Sequence, residues 1–286
     1  MASVSASFKS IRLEERSMTA SKPTVVELAH LSNLVYGGSP SVKVLVAKPP
    51  LAPPASPEQE WILSASSAYP GGFSAAMYRR QDGCRALAFR GTDNIADDFR
   101  DDVAIAFGRI PPQIEYALAF ARSVGLSQHD AVTGHSLGGA LALLVAAADN
   151  HPAVTFNAPG VADSCARVAA DQLGTRVLQM MQRCGGFRRV LNIRIGGDPV
   201  SSRWVTGDQV GAGGSMVTLP DANGCTARAA QQAARVGSRG MRLGPKAGAV
   251  AATGAFLGLN ALCRHQMETV LAAVQRDPRY FVPIVL

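Results

Sequence analysis

The chain has 286 residues, 47% of them hydrophobic and 17% charged, a composition that supports a sizeable buried core and excludes a disordered chain. Its net charge of +7 is unevenly spread: residues 1–163 carry 13 basic and 15 acidic side chains, whereas residues 164–286 carry 15 and 6. A basic half of this kind suits an anionic membrane surface or an acidic partner, or is simply a solvated surface; with no nucleic-acid motif and no interleaving of basic and aromatic residues, nucleic acid is not expected as a partner.

The first 22 residues, MASVSASFKSIRLEERSMTASK, hold six serines and no apolar core of a signal peptide. They read as a disordered leader, and residues 23–286 as a single domain. Cytoplasmic localisation is the default for a chain read this way, with signal-less export as an effector the other reading. TVVELAHLSNLVYGG carries apolar residues at helical spacing (Val25, Leu28, Leu31, Val35) and stops at Gly37-Gly38, a helix with a glycine terminator. A Pro-rich loop, KPPLAPPASPEQ, follows. GFSAAMYRRQDGCRALAFRGT reads as two strands joined at Asp82-Gly83, the preferred pair of a type I′ turn. In NIADDFRDDVAIAF, Ile95, Phe99 and Val103 stand four apart, an apolar stripe with aspartates on the other side. PPQIEYALAFARSVG opens on Pro and closes on Gly, as helices do.

HDAVTG, AVTFNAPG and RVLNIRIGGDP are short apolar strands that each run into a turn, with helical stretches between them. Such alternation predicts an α/β fold, a mostly parallel central sheet with helices on both faces. Residues 247–263 are uncharged, at the low edge of membrane-spanning length. Their three glycines and Asn260 predict instead a helix packed closely on its neighbours. The five cysteines (84, 165, 184, 225 and 263) are odd in number and widely spaced. They argue against a disulfide framework and a zinc site, and read as small buried residues.

The informative stretch is VTGHSLGGALALLVAAA, residues 132–148. Gly134-His135-Ser136-Leu137-Gly138 fits the G-x-S-x-G pattern, entered by a strand and left by a strong helix former. A serine so placed sits at a helix N-terminus, where free N–H groups favour developing negative charge, and the Leu137 N–H becomes one oxyanion donor. Serine needs a base oriented by an acid. His135 lies inside the elbow. His151, beyond a helix of about a dozen residues, falls roughly 20 Å away at ~1.5 Å per residue. His265 remains as the base. For the acid, the candidates after the elbow are Asp163, Asp171, Asp198, Asp208 and Asp221. Asp163 and Asp198 follow strand ends, where carboxylates of open α/β sheets stand; Asp198, one strand further on, is preferred. A second oxyanion donor is expected from the loop after an earlier strand, and Arg90-Gly91-Thr92 supplies the Thr92 N–H.

FRGTDN, GHSLGGALA, FNAPG, GDPVS and HQMETVL, in this order, resemble the lipase class 3 family of fungal-lipase-like α/β-hydrolases. LAHLSNLVYG resembles that family's first helix. The likeness covers most of residues 25–160 and two islands around Asp198 and His265; residues 205–260 match no part of it, and Val270 stands where the family often has a Tyr. The resemblance implies the α/β-hydrolase fold, a Ser136–Asp198–His265 triad, an oxyanion hole of Thr92 and Leu137, and no metal or organic cofactor. It also implies hydrolysis of acylglycerol or phospholipid esters and puts the stripe Ile95, Phe99, Val103 where such lipases carry a lid, the other reading being a helix packed on the core. The basic C-terminal half suits an anionic membrane surface. The alternatives are a soluble esterase or acyltransferase, and a binding protein that keeps the fold without the chemistry.

Overall fold

The computed structural model describes residues 21–37, 41–45, 58–69, 72–91, 113–160, 189–201 and 214–284. Helix α1 (Val25–Gly37) starts where the sequence predicts. Its beginning is fixed by a reciprocal capping box. The Glu27 N–H donates to Thr24 Oγ1 at 3.1 Å, and the Thr24 N–H donates to Glu27 Oε2 at 2.7 Å. Two of the N–H groups that lack helical partners are thereby satisfied.

Strands β1 (Ser41–Leu45), β2 (Glu58–Ala68), β3 (Ser74–Arg80) and β4 (Arg85–Phe89) pair antiparallel in that order. The β3–β4 connection falls at Asp82-Gly83 as predicted, but the turn is not type I′. Gly83 alone has positive φ, +90°, and its N–H donates to the Arg80 carbonyl at 3.0 Å. Asp82 keeps negative φ because its carboxylate is used elsewhere, accepting from the Cys84 N–H and the Arg80 guanidinium. The result is a three-residue hairpin with glycine at the left-handed position.

From β4 onward the sheet is parallel, continuing through β5 (Ala131–His135), β6 (Ala153–Phe156), β7 (Val190–Ile195) and β8 (Ser215–Leu219). The eight described strands lie side by side in chain order. Helices α2 (Ile114–Ser123) and α3 (Leu137–Asp149) cover one face, with Phe89, Val132, Leu141 and Leu143 between them and the sheet. On the other face lie α1 and α6 (Met267–Gln275), with Val270 of α6 in one cluster with Trp61, Phe156 and Ile193 of the sheet. Alternation along β5 decides which residue goes where: Val132 faces α3, and Thr133 faces α1, where its Oγ1 meets Ser32 Oγ at 2.8 Å.

After β8 the chain builds a helical hairpin, α4 (Cys225–Gly240) and α5 (Pro245–His265). Here two expectations are corrected. Cys225 and Cys263 form a disulfide, although the spacing of the cysteines argues against one; the hairpin returns residue 263 to residue 225, a proximity that spacing along the chain does not encode. Of the three glycines taken as close-packing residues, only Gly248 is one, lying against Gly237 and Met241, while Gly254 and Gly258 face open space. Cys84 is buried and unbridged, and burial pushes its thiol up to about 12. The remaining cysteines, residues 1–20 of the leader and the stripe Ile95, Phe99, Val103 lie outside the described residues. Ser21, the next residue after these first 20, is already held by Arg80 and Asp82.

Candidate active site

The carboxyl ends of β4, β5, β6 and β7 lie side by side, and each delivers something to one place. Strand β5 ends at His135 and passes through Ser136 directly into α3. Ser136 has φ 56° and ψ −130°, a strained conformation for a residue with a Cβ. The glycines around it are steric necessities. A Cβ on Gly134 would run into the backbone of Gly138, one on Gly138 into the Phe89 carbonyl, and one on Gly139 would stand 2.7 Å from the Ala158 Cβ. The elbow is held from below by the Ser136 N–H, which donates to the Phe156 carbonyl at 3.0 Å. Leu137 follows as the first residue of α3, where helix N–H groups have no helical acceptor.

Strand β7 turns sharply after Ile195. Gly197 takes φ +81°, and the Asp198 N–H returns to the Ile195 carbonyl at 3.0 Å, placing the carboxylate at the sheet's end. His265 is the last residue of α5. Its Nε2 lies 2.8 Å from Ser136 Oγ, and its Nδ1 lies 2.7 Å from Asp198 Oδ1. All three are withdrawn from solvent: Ser136 is 9% exposed, Asp198 2% and His265 1%. The structure thus brings together Ser136, Asp198 and His265. Thr92 lies outside the described residues, as do Asp163, Asp171 and Asp208. His151 sits beyond the far end of α3 with its Nδ1 3.0 Å from the Ser127 carbonyl, and Asp221 caps the start of α4 by accepting from the Cys225 N–H.

The carboxylate is prepared to stay charged. Burial works to raise its pKa, but the facing His265, the His265 N–H bond and the 2.7 Å bond from the Ser201 N–H together hold Asp198 below its ordinary value. An ionised Asp198 accepts a proton-bearing Nδ1, which leaves the Nε2 lone pair toward Ser136.

Two further residues fix His265 from its main chain. Its carbonyl lies 3.2 Å from Asn157 Nδ2 and 2.6 Å from His135 Nε2. A carbonyl only accepts, so His135 carries its proton on Nε2. Its Nδ1 then accepts a hydrogen bond from the Tyr36 hydroxyl at 3.1 Å, and the Tyr36 oxygen accepts the Gly91 N–H at 3.0 Å. Burial, with the neighbouring His265 second, lowers the His135 pKa to about 3, so it remains neutral. Asn157, at φ 46°, spends its Oδ1 on the Ile195 N–H at 2.9 Å, tying β7 to the same point. Sequence reasoning set His135 aside as a base and gave Asn157 no role. The asparagine following a short buried strand in FNAPG was the available signal. Among the described residues no group of three His, Cys, Asp or Glu side chains is placed to hold a metal ion.

Residues 27–243 match a family model described as phospholipase-like, the Tle-like phospholipase domain. That match extends well past residue 160, where the sequence likeness thins, and ends before His265. An extracellular phospholipase A1 of Serratia liquefaciens is 43% identical over 94 residues, which are 32% of this chain; the chain spans 29% of that relative's length. Among solved structures, the propeptide complex of Rhizomucor miehei lipase aligns with a TM-score of 0.35 at 16% identity, covering 62% of this chain and 61% of that one. The extracellular lipase LipA of Serratia marcescens aligns at 0.30 with 21% identity, covering 52% and 29%. At such scores these likenesses add nothing to the strand order and strand-end geometry above.

Proposed function

The chain belongs to the family of Tle-like phospholipase domains, and we propose that it hydrolyses the carboxylic ester bonds of lipids, phospholipids first among them. The observation that carries this reading is the continuous path from Ser136 Oγ through His265 to Asp198, set at a strained turn before a helix. In the proposed reaction His265 Nε2 takes the Ser136 hydroxyl proton as Oγ bonds to the acyl carbon. The resulting oxyanion is held by the Leu137 N–H and, in this reading, by Thr92. The carbon–oxygen bond to the alcohol then breaks, and His265 returns the proton to the leaving oxygen. Water next gives a proton to His265 while its oxygen attacks the acyl carbon; Ser136 is released with its proton restored, and the products are a fatty acid and the lyso-lipid or alcohol. Asp198 stabilises the imidazolium in both halves.

Phospholipid is favoured as substrate by the family and by the name of the Serratia liquefaciens relative. An anionic membrane surface is favoured by the basic C-terminal half. The Cys225–Cys263 disulfide supports action in an oxidising compartment, outside the reducing cytoplasm. The deciding experiment is fatty-acid release from mixed vesicles of neutral and anionic phospholipid with triacylglycerol. Native protein is expected to release fatty acid and lyso-phospholipid, and Ser136→Ala to release none. Equal release by the two proteins, or none by either from any ester, overturns the reading.

A further inference from the structure

The hairpin of α4 and α5 has two unlike sides. Helix α4 buries only a narrow stripe, Ala229, Ala233 and Gly237, against α5. Its remaining surface carries Arg228, Arg235, Arg239 and two glutamines among alanines and an exposed Val236. Helix α5 is 21 residues long, about 31 Å at 1.5 Å per residue, and is long and apolar enough to cross a membrane. Yet only 6% of its apolar window is buried. Its open side carries Val250 at 73% exposure and Leu257 at 61%, with Gly254 and Gly258 between and beside them meeting nothing. Met241, in the short turn at the tip, is 65% exposed. A soluble helix does not ordinarily leave its apolar stripe outward.

Charge identifies what covers it. From Ala222 to Arg264 there are six basic residues and no acidic one. Two copies of the hairpin brought together would add cation to cation in total, with no carboxylate in the segment to pair. An anionic bilayer supplies both an apolar interior and negative charge. The helix does not cross it: α4, packed along α5, carries Arg228, Arg235 and Arg239, which belong at the headgroups.

The base of the hairpin is locked to the active site. The Cys225–Cys263 bridge closes it, Arg264 donates to Asn260, Thr226 and the Gly196 carbonyl, and the next residue is His265.

We infer that the disulfide-closed α4–α5 hairpin is a membrane-docking arm. It lies in the interface of an anionic bilayer with Val250 and Leu257 in the acyl region and its arginines at the headgroups, holding the active site at the lipid. This rests on the lipid-hydrolase reading for its purpose but not for its test. Binding of the full chain carrying Ser136→Ala, which leaves vesicles intact, is measured by co-sedimentation with phosphatidylcholine vesicles with and without phosphatidylglycerol. Binding is expected to favour the anionic vesicles, and Val250→Asp with Leu257→Asp is expected to weaken it about tenfold or more. Arg235→Gln, Arg239→Gln and Arg242→Gln together are expected to remove the preference for phosphatidylglycerol. A tryptophan at Leu257→Trp is expected to be quenched by brominated acyl chains.

Hairpin variants built on the native serine keep their turnover of a short soluble ester, which shows that fold and site are intact. Undiminished binding by the Val250/Leu257 variant, or an unquenched Leu257→Trp, overturns the inference. So does a dimer in solution that the same two aspartates dissociate, which assigns the face to a second copy. If no ester is hydrolysed at all, the lipid-hydrolase reading falls while the vesicle measurement still decides the docking arm.

Discussion

His135 shows how one buried side chain serves a site without touching substrate. Its neutral ring donates to the His265 carbonyl and accepts from Tyr36, and the same carbonyl receives Asn157. These are positioning residues, so Asn157→Ala is expected to lower kcat about 10- to 100-fold with little change in KM, since sub-ångström misplacement of the base costs that much. Steady-state kinetics on a soluble ester separates the two constants; an unchanged kcat would remove Asn157 from the site's support. His135 also carries a pH signature. Its folded pKa, about 3, lies below the 6.5 of the free side chain, so the unfolded chain binds a proton that the folded one refuses. Stability therefore falls as pH drops from about 6.5 toward 3, by up to about tenfold in the folding equilibrium per pH unit. Between pH 6.5 and 4.5, urea unfolding is expected to weaken more steeply for the native chain than for His135→Gln, which keeps the donor and loses the titration. Asp198, whose folded value is held below the carboxylate range, contributes its own loss only at lower pH.

At the scale of elements, α1 is fastened to the antiparallel end of the sheet by one buried charge cluster. Glu27 Oε1 accepts from Arg80 Nη1 at 2.7 Å and from Trp61 Nε1 at 3.0 Å, while Oε2 caps the helix start. Arg80 extends the cluster to Asp82 and the Ser21 carbonyl. Both Glu27 and Arg80 are buried. Without Glu27, Arg80 keeps Asp82, but its Nη1 and the Trp61 indole N–H lose their buried acceptor. Glu27→Ala is expected to lose about 1–3 kcal/mol of stability, measured by urea unfolding, the cost of leaving buried donors unsatisfied. The elbow is the second element-level constraint. Gly139→Ala forces its Cβ onto Ala158, so the strand–helix contact must open; a lower melting temperature with reduced turnover is expected. An unchanged melting temperature would show that α3 shifts freely against β6.

For the whole molecule, the structure has a sheet that concentrates chemistry at its parallel carboxyl ends and, following β8 in the chain, an arm tied at its base to the turn after β7. The disulfide spans a separation of 38 residues, and closing a loop of that size restricts the unfolded chain by roughly 3–4 kcal/mol in the chain-entropy account. Replacing Cys225 and Cys263 together by Ser is expected to lower stability by up to that amount. If the arm works as inferred, the loss of vesicle turnover exceeds the loss on a soluble ester. Equal losses would make the bridge a staple of the fold only.

Local sterics and periodicity are written in residue order, and the features they govern were legible there. Gly134, Ser136 and Gly138 between a β-like run and a helix former describe the elbow because only glycine admits that approach of backbones. Strands β4 to β7 of the parallel half, and α1 to its last glycine, follow from apolar spacing and turn residues; β8, in a stretch where the sequence shows no pattern, does not. His265 and Asp198 were reached by elimination and by strand-end position, and the structure brings both to Ser136. What the tertiary structure alone decided are matters of proximity between distant residues. These include the Cys225–Cys263 bridge, the convergence of His135 and Asn157 on the His265 carbonyl, and which glycines of α5 are packed. Spacing along a chain states which face of an element is apolar; it does not state what meets that face. In α5 the described residues leave it open, and the physical consequence of that openness is the arm.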